Sequence, residues 1–224
     1  MAEDWLARWE QGRTGWHEPG GNSGLRACWP ELPGGSHVLV PLCGKTPDLL
    51  WLESRQLDVT GVELSPLAAR AFFSENGLGY SVSRKDGFQV YSASDRKITI
   101  YCGDYFSFAG PSFDAVYDRG AFVALPAGIR GTYARHTDSL LRPDAVRLLV
   151  TLEYDQAITD GPPYSVAPDE VRRYWPMLRR VSEKDDLENC PPKFRQAGLD
   201  KIAEVVWIST GAEPVLAELP ARLR

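Results

Sequence analysis

The stretch His37-Val38-Leu39-Val40-Pro41-Leu42-Cys43-Gly44-Lys45, followed by Thr46-Pro47-Asp48 and the apolar run Leu49-Leu50-Trp51-Leu52, decides the fold. Its first half lacks polar alternation, so it reads as a short strand buried on both faces, as in a parallel sheet. Gly44 then permits a backbone turn that side chains disfavour. Thr46 is placed to cap the free N–H groups of a new helix, and Pro47 suits the first helical position. Strand, tight loop and helix in that order present backbone N–H groups and a small concavity to a ligand.

Downstream, residues 58–64 read as a second buried strand carrying Glu63 near its end, and Ser65-Pro66 repeats the cap-then-proline pattern before a helix to about Asn76. Two strands joined through a helix predict parallel neighbours with a right-handed crossover. Residues 77–83 are expected to be irregular, and 88–92 with 97–101 to form a hairpin. Residues 113–119 read as a further strand with Gly120 at its end. A helix follows from near Pro126 to Leu141, then a strand over 146–152. Pro168 opens a helix to about Tyr174. Residues 178–181 and 202–208 pair as a C-terminal antiparallel hairpin, with Cys190-Pro191-Pro192-Lys193 in the connecting loop. This alternation predicts an α/β three-layer sandwich around a mostly parallel sheet.

Upstream, residues 3–11 form a predicted helix with Trp5 and Trp9 on one face, a spacing that suits packing. The loop from Gly12 to Gly21 is rich in glycine yet studded with Trp16, His17 and Glu18, unusual for a mere connector. Residues 1–30 therefore read as a helical lid. With no linker, repeat or low-complexity tract, residues 1–224 are expected to form a single domain.

The 224 residues are 43% hydrophobic and 11% aromatic, ample for one core, and no apolar run approaches the roughly 18 residues of a membrane span. Met1-Ala2-Glu3-Asp4-Trp5 lacks the basic-then-apolar pattern of an export signal, so a cytoplasmic protein is expected. A formal charge of −5 argues against nucleic acid. Arg172-Arg173 and Arg179-Arg180, beside Glu170 and Glu183, read as a solvated face. Cys28, Cys43, Cys102 and Cys190 show no paired spacing, and His17, His37 and His136 are scattered, so reduced thiols and no metal are expected. Nothing in the sequence demands more than a monomer.

Ligands of open parallel sheets sit beyond the carboxyl ends of the strands. Leu42-Cys43-Gly44, Glu63, Gly103-Asp104-Tyr105 and Asp118-Arg119-Gly120 all fall there. Glu63 lies nineteen residues after Gly44, near the offset at which an acid grips ribose hydroxyls. The loop has one glycine where a pyrophosphate needs several, and Leu39 stands where a P-loop needs its first glycine. A nucleoside with a compact amino-acid tail, S-adenosylmethionine, fits better, and its sulfonium suits an acidic, aromatic-lined site. Two other readings stay open: a nicotinamide-dependent oxidoreductase and a non-catalytic adenosine-binding domain. Each residue also has a plainer role. Glu63 can cap a helix, Asp104 can brace its own loop, Cys43 can fill space, and Arg119 can pair with Asp118 or another acid.

Trp5-x-x-Arg8-Trp9, Gly12-Arg13-Thr14-Gly15-Trp16-His17, residues 38–45, Gly61-Val62-Glu63-Leu64-Ser65, Phe72-Phe73-x-Glu75, Tyr117-Asp118-Arg119-Gly120, Leu152-Glu153-Tyr154-Asp155 and Gly161-Pro162-Pro163 together resemble the thiopurine S-methyltransferase family, in its bacterial type. The resemblance implies the class I, Rossmann-like seven-stranded methyltransferase fold and S-adenosylmethionine as donor, with S-adenosylhomocysteine as product. It implies the sulfur of thiopurines or other aromatic and heterocyclic thiols as small-molecule acceptor, with selenium or tellurium detoxification among bacterial members. Donor contacts are implied for Trp9, Leu42, Glu63 and Arg119, joined by Gly44, with Asp104 and Tyr105 near the adenine edge. Trp16 corresponds to an aromatic residue over the acceptor, and Trp5 stays a packing residue. Arg119 is expected to orient the acceptor for in-line displacement without a general base. No role transfers to Arg195.

Overall fold

Helices α1 (Ala2–Glu10) and α2 (Ser23–Cys28) precede strand β1 (His37–Pro41) in the computed structural model, which describes residues 2–209. Then come α3 (Asp48–Ser54), β2 (Asp58–Glu63), α4 (Pro66–Glu75), β3 (Tyr80–Lys85), β4 (Phe88–Ala93) and β5 (Ile98–Cys102). The second half runs β6 (Phe113–Arg119), α5 (Ala127–Ser139), β7 (Leu141–Glu153), α6 (Pro168–Tyr174), β8 (Leu178–Asp185), α7 (Lys193–Gln196) and β9 (Ala203–Ser209). The rest of the expected domain, 210–224, lies outside the described residues.

One sheet of nine strands has the order β3-β4-β5-β2-β1-β6-β7-β9-β8. From β5 to β7 all neighbours are parallel; β9 and β8 continue antiparallel at one edge, β4 and β3 at the other. β1 lies between β2 and β6, so successive crossovers leave it in opposite directions and open a crevice at its carboxyl end.

β1 shows why its sequence has no polar alternation. Val38 and Val40 join the core of α3 and α4, with Leu49, Leu52, Phe72 and Phe73. Leu39 points the other way, into the core that includes Tyr133 of α5 and Trp175 just after α6. Ser65 caps α4 by accepting from the Ala68 N–H at 3.3 Å, with Pro66 at the helix start, as the sequence predicts. At α3 the same pattern is displaced by one residue. Pro47 itself occupies the capping position, while Thr46 Oγ1 accepts from the Asp48 N–H at 3.3 Å.

The irregular segment expected over 77–83 is instead replaced in part by β3, which pairs with the expected strand β4, so the sheet has nine strands where the family resemblance implies seven. All six residues of β3 are exposed, so it carries no apolar face for periodicity to reveal. Its local signal is Asp86-Gly87, with φ of 52° and 84°, the left-handed pair that closes tight hairpins. Among the described residues no helix is long and apolar enough to cross a membrane.

Candidate active site

The loop leaving β1 is held in an uncommon conformation. Leu42 has φ 47° and Gly44 φ 55°, left-handed values that cost a residue with a side chain about 1–2 kcal/mol. Hydrogen bonds fix the turn: the Cys43 N–H donates to the Val62 carbonyl at 3.1 Å, and the Gly44 N–H to Glu63 Oε2 at 2.8 Å. Glu63 Oε1 accepts from the Ser65 N–H at 2.7 Å, so one carboxylate ties the β1 loop to the start of α4. Burial, with 6% exposure, raises the Glu63 pKa, and these N–H bonds oppose the rise. Cys43 faces Gly61, where a Cβ would lie 2.6 Å from Sγ. Burial and Glu63 raise its thiol pKa well above normal, leaving a neutral space-filling group.

Opposite this loop stands the N-terminal segment. Trp9 reaches to 3.3 Å from where a Gly44 Cβ would lie, Trp16 meets Trp9 edge-on at 5.8 Å, and Trp5 meets Trp16 edge-on at 5.1 Å between ring centroids. Arg119, at the end of β6, donates from Nη1 to the Trp16 carbonyl at 2.7 Å and from Nη2 to Glu18. Burial lowers the Arg119 pKa, but Glu18 foremost, with Tyr117, Glu204 and Asp48, turns the net shift upward and keeps the guanidinium charged. Its carboxylate partner is therefore Glu18. Neighbouring Asp118 instead accepts from the N–H groups of Ala121 and Phe122 and from the Tyr133 hydroxyl.

A third wall comes from the chain's other end. Oxygens of Glu18, Asp186 and Glu204 lie within 4.8 Å of one another, with Asp186 and Glu204 buried. Lys184 Nζ stands 3.2 Å from Asp186 and 3.0 Å from Glu204, and Asn22 Nδ2 donates to Glu204 at 3.0 Å. Burial first, then Asp186, raises the Glu204 pKa.

Trp9, Trp16, Leu42, Gly44, Glu63 and Arg119 thus line one cavity of about 350 Å³. Asp104 and Tyr105 do not line it. Asp104 caps a short 3₁₀ turn by accepting from the Phe106 N–H at 3.1 Å, and buried Tyr105 bonds Thr137 Oγ1 at 2.9 Å while packing on Tyr133. The backbone after β5 turns that side chain toward α5, which motif position alone does not reveal. Trp5, expected to pack only, also lines the cavity, as do Glu18, Asp186, Lys193 and Glu204, for which no role was predicted. Trp5 shares a helical face with Trp9, a signal available in sequence. Only the three-dimensional placement of β8 and β9 brings the C-terminal acids to the site.

The family model for thiopurine S-methyltransferase (TPMT) matches residues 1–212. The chain belongs to the thiopurine S-methyltransferase family. A thiopurine S-methyltransferase of Bordetella petrii is 44% identical over 213 residues, covering 92% of this chain and 96% of the relative. One of Pseudomonas fluorescens is 42% identical over 212 residues with the same coverage. Among solved structures, the Burkholderia thailandensis 1,6-didemethyltoxoflavin-N1-methyltransferase with bound S-adenosylhomocysteine superposes with a TM-score of 0.59 at 18% identity. The alignment covers 93% of this chain and 87% of that one. The Rossmann-like methyltransferase fold is therefore shared, and family membership makes this chain an S-adenosylmethionine-dependent methyltransferase. The nicotinamide alternative gives way to that finding. The cavity suits the donor: a buried carboxylate beside a single-glycine loop answers a ribose and an amino-acid tail, and tryptophan faces answer a sulfonium.

Proposed function

We propose that this enzyme methylates the sulfur of thiopurines or related aromatic and heterocyclic thiols, with selenium or tellurium species as further acceptors. The observation that carries this reading is the tryptophan wall, Trp9, Trp16 and Trp5, set against the Leu42–Gly44 loop. Such a wall offers a flat aromatic acceptor stacking and edge contacts while keeping water out.

S-adenosylmethionine, when bound, supplies a methyl group on a sulfonium. Trp9, Leu42, Gly44 and Glu63 hold that donor, and Trp16 bounds the acceptor. Arg119 anchors the segment 12–18 through Trp16 and Glu18 and presents positive charge toward an anionic acceptor. A thiolate already ionised in water needs no general base, so alignment within the closed cavity supplies most of the rate. Residues 1–30 act as the lid of a single-domain enzyme.

Turnover of methyl-labelled donor with 6-mercaptopurine, thiophenol and selenite, read as methylated product by mass spectrometry, tests the proposal. S-methyl-6-mercaptopurine is the expected product; donor binding with no methylated sulfur in any arm overturns it.

A further inference from the structure

Asn22, with 0% exposure, ends the N-terminal segment and does not itself line the cavity. Its backbone N–H donates to Asp48 Oδ1 at 2.9 Å, in the first turn of α3, and the other Asp48 oxygen accepts the Tyr117 hydroxyl of β6 at 2.8 Å. Gly21 makes that approach possible, since at its φ of 73° a Cβ would lie 2.5 Å from Asp48 Oδ1. Asn22 Oδ1 caps α2 by accepting from the Leu25 N–H at 3.0 Å. With the oxygen committed to that cap, the amide has one orientation, and its NH2 faces two carboxylates. One bond runs to Glu204 Oε2 at 3.0 Å and a longer one to Glu18 Oε2 at 3.4 Å.

Charge explains why a neutral donor stands there. Glu18, Asp186 and Glu204 are three carboxylates, and Arg119 and Lys184 are the two cations paired with them, so one negative charge is left over when all five are ionised. Amides serve the surplus: Asn22 on Glu204 and Glu18, and Asn189 Nδ2 on Asp186 Oδ1 at 2.9 Å. Glu18 carries the consequence into the cavity. Its Oε1 accepts from Arg119 and its Oε2 from Asn22, while the Gly21 N–H bonds the Glu18 carbonyl at 3.0 Å and ties the turn between them. Arg119 also donates to the Trp16 carbonyl. The position of the Asn22 amide thus bears on where Trp16 and the guanidinium stand.

We propose that Asn22 is a positioning residue for the methyl acceptor: from outside the cavity its amide fixes Glu18 and Glu204, and through Glu18 the placement of Arg119 and Trp16. This rests on the methyl-transfer reading above for the acceptor's chemistry, though not for the geometry. The donor side is tied separately, by the bonds of Gly44 and Ser65 to Glu63. Loss of the amide is therefore expected to fall on the acceptor.

Asn22→Ser keeps a side-chain oxygen for the α2 cap and the backbone bond to Asp48, and removes the amide donor. Its kcat/KM for 6-mercaptopurine is expected to fall roughly tenfold, mainly through KM, the size of one hydrogen bond to a charged group. The Kd for S-adenosylhomocysteine is expected to change by less than about threefold. Asn22→Asp keeps the shape and adds a carboxylate facing Glu18 in the segment, Glu204 on β9 and Asp48 on α3. Lys184 and Asp186 lie behind Glu204, Arg119 and Tyr117 of β6 behind Glu18 and Asp48, and Arg26 of α2 donates to the Gly20 carbonyl. Among those acids the new group takes up a proton readily, and its O–H then donates where the amide did. Activity relative to wild type at the same pH, a ratio in which acceptor ionisation cancels, is expected to rise from about pH 8.5 to about pH 5.5 for the Asp variant and to stay flat for the Ser variant.

Thermal melting verifies that each variant is folded, and the Ser variant decides alone if the Asp variant does not fold. Wild-type kcat/KM in the folded Ser variant, donor binding weakened as much as kcat/KM, or a flat pH ratio for the folded Asp variant overturns the positioning role. Hydrogen exchange by mass spectrometry on the S-adenosylhomocysteine complex tests the geometry without turnover. Peptides covering 12–22 are expected to exchange roughly fivefold faster in the Ser variant while those of α4 stay unchanged. That outcome supports Asn22 even if no thiol is methylated, and unchanged exchange over 12–22 overturns it.

Discussion

Arg119 and Glu18, 101 residues apart in sequence, form an ion pair that joins the end of β6 to the N-terminal segment. Both side chains are about four-fifths buried, at 20% and 19% exposure, so the pair is far less screened than a surface bridge. Arg119→Ala removes this anchor and the bond to the Trp16 carbonyl, and leaves Glu18 beside Asp186 and Glu204. The expected loss is about 100-fold in kcat/KM for a thiol acceptor at saturating donor, roughly 3 kcal/mol. Arg119→Lys should recover only part of it, since one ammonium does not reproduce two separated donors. An alanine variant with wild-type kcat/KM would sink the anchoring role.

Glu63→Gln leaves one oxygen to serve two backbone N–H groups and turns an amide N–H toward either Gly44 or Ser65. Loss of a charged acceptor and one unsatisfied contact predict weaker S-adenosylhomocysteine binding by about 2–3 kcal/mol, or 30- to 150-fold in Kd. Isothermal titration measures this directly, and an unchanged Kd would assign Glu63 a purely structural part.

Two glycines separate backbone from packing effects. Gly61→Ala places a Cβ 2.6 Å from the Cys43 sulfur inside the core, so overpacking should cost about 1–3 kcal/mol and lower Tm. Gly44→Ala meets Trp9 at 3.3 Å and incurs the left-handed penalty at φ 55°, so it should loosen donor binding more than it lowers Tm. Parallel melts and titrations of the two variants would expose the opposite ordering if it occurs.

Asp118 makes stability depend on pH. Burial pushes its carboxyl up to about 6 from 3.8, against the pull of the Tyr133, Phe122 and Ala121 hydrogen bonds. The folded state therefore binds this proton more tightly than the unfolded chain. The contribution to stability is greatest below pH 3.8, declines as pH rises, and is gone above about 6. Asp118→Asn should remove this component, so the difference in unfolding free energy between wild type and variant should vary with pH across that window. A difference constant with pH would contradict it.

The core of the fold was legible because burial leaves a compositional mark. β1 and β2 are apolar on both faces, and Ser65-Pro66 writes a helix start into the chain. β3 was not legible by periodicity because all six of its residues are exposed, so neither face is under selection for apolarity. The places of Leu42, Gly44, Glu63 and Arg119 in the cavity lining were legible because their strands end at the crevice by topology. Asp104 and Tyr105 occupy an equivalent strand end, yet a 3₁₀ turn rotates Tyr105 into the contact with Thr137. Side-chain direction after a strand depends on such local turns. Asp186, Lys193 and Glu204 depend on the antiparallel pairing of β7, β9 and β8, for which the sequence near them carries no ligand signal.

Asn22 holds Glu204 across 182 positions of chain, and Glu204 belongs to the last strand described. The tryptophan wall, the β1 loop, Glu63 and Glu18 all come from the first third of the chain, whereas Glu204, the last member of the acid wall, comes only with β9. The cavity is therefore complete only when residues 22 and 204, distant in sequence, are both in place.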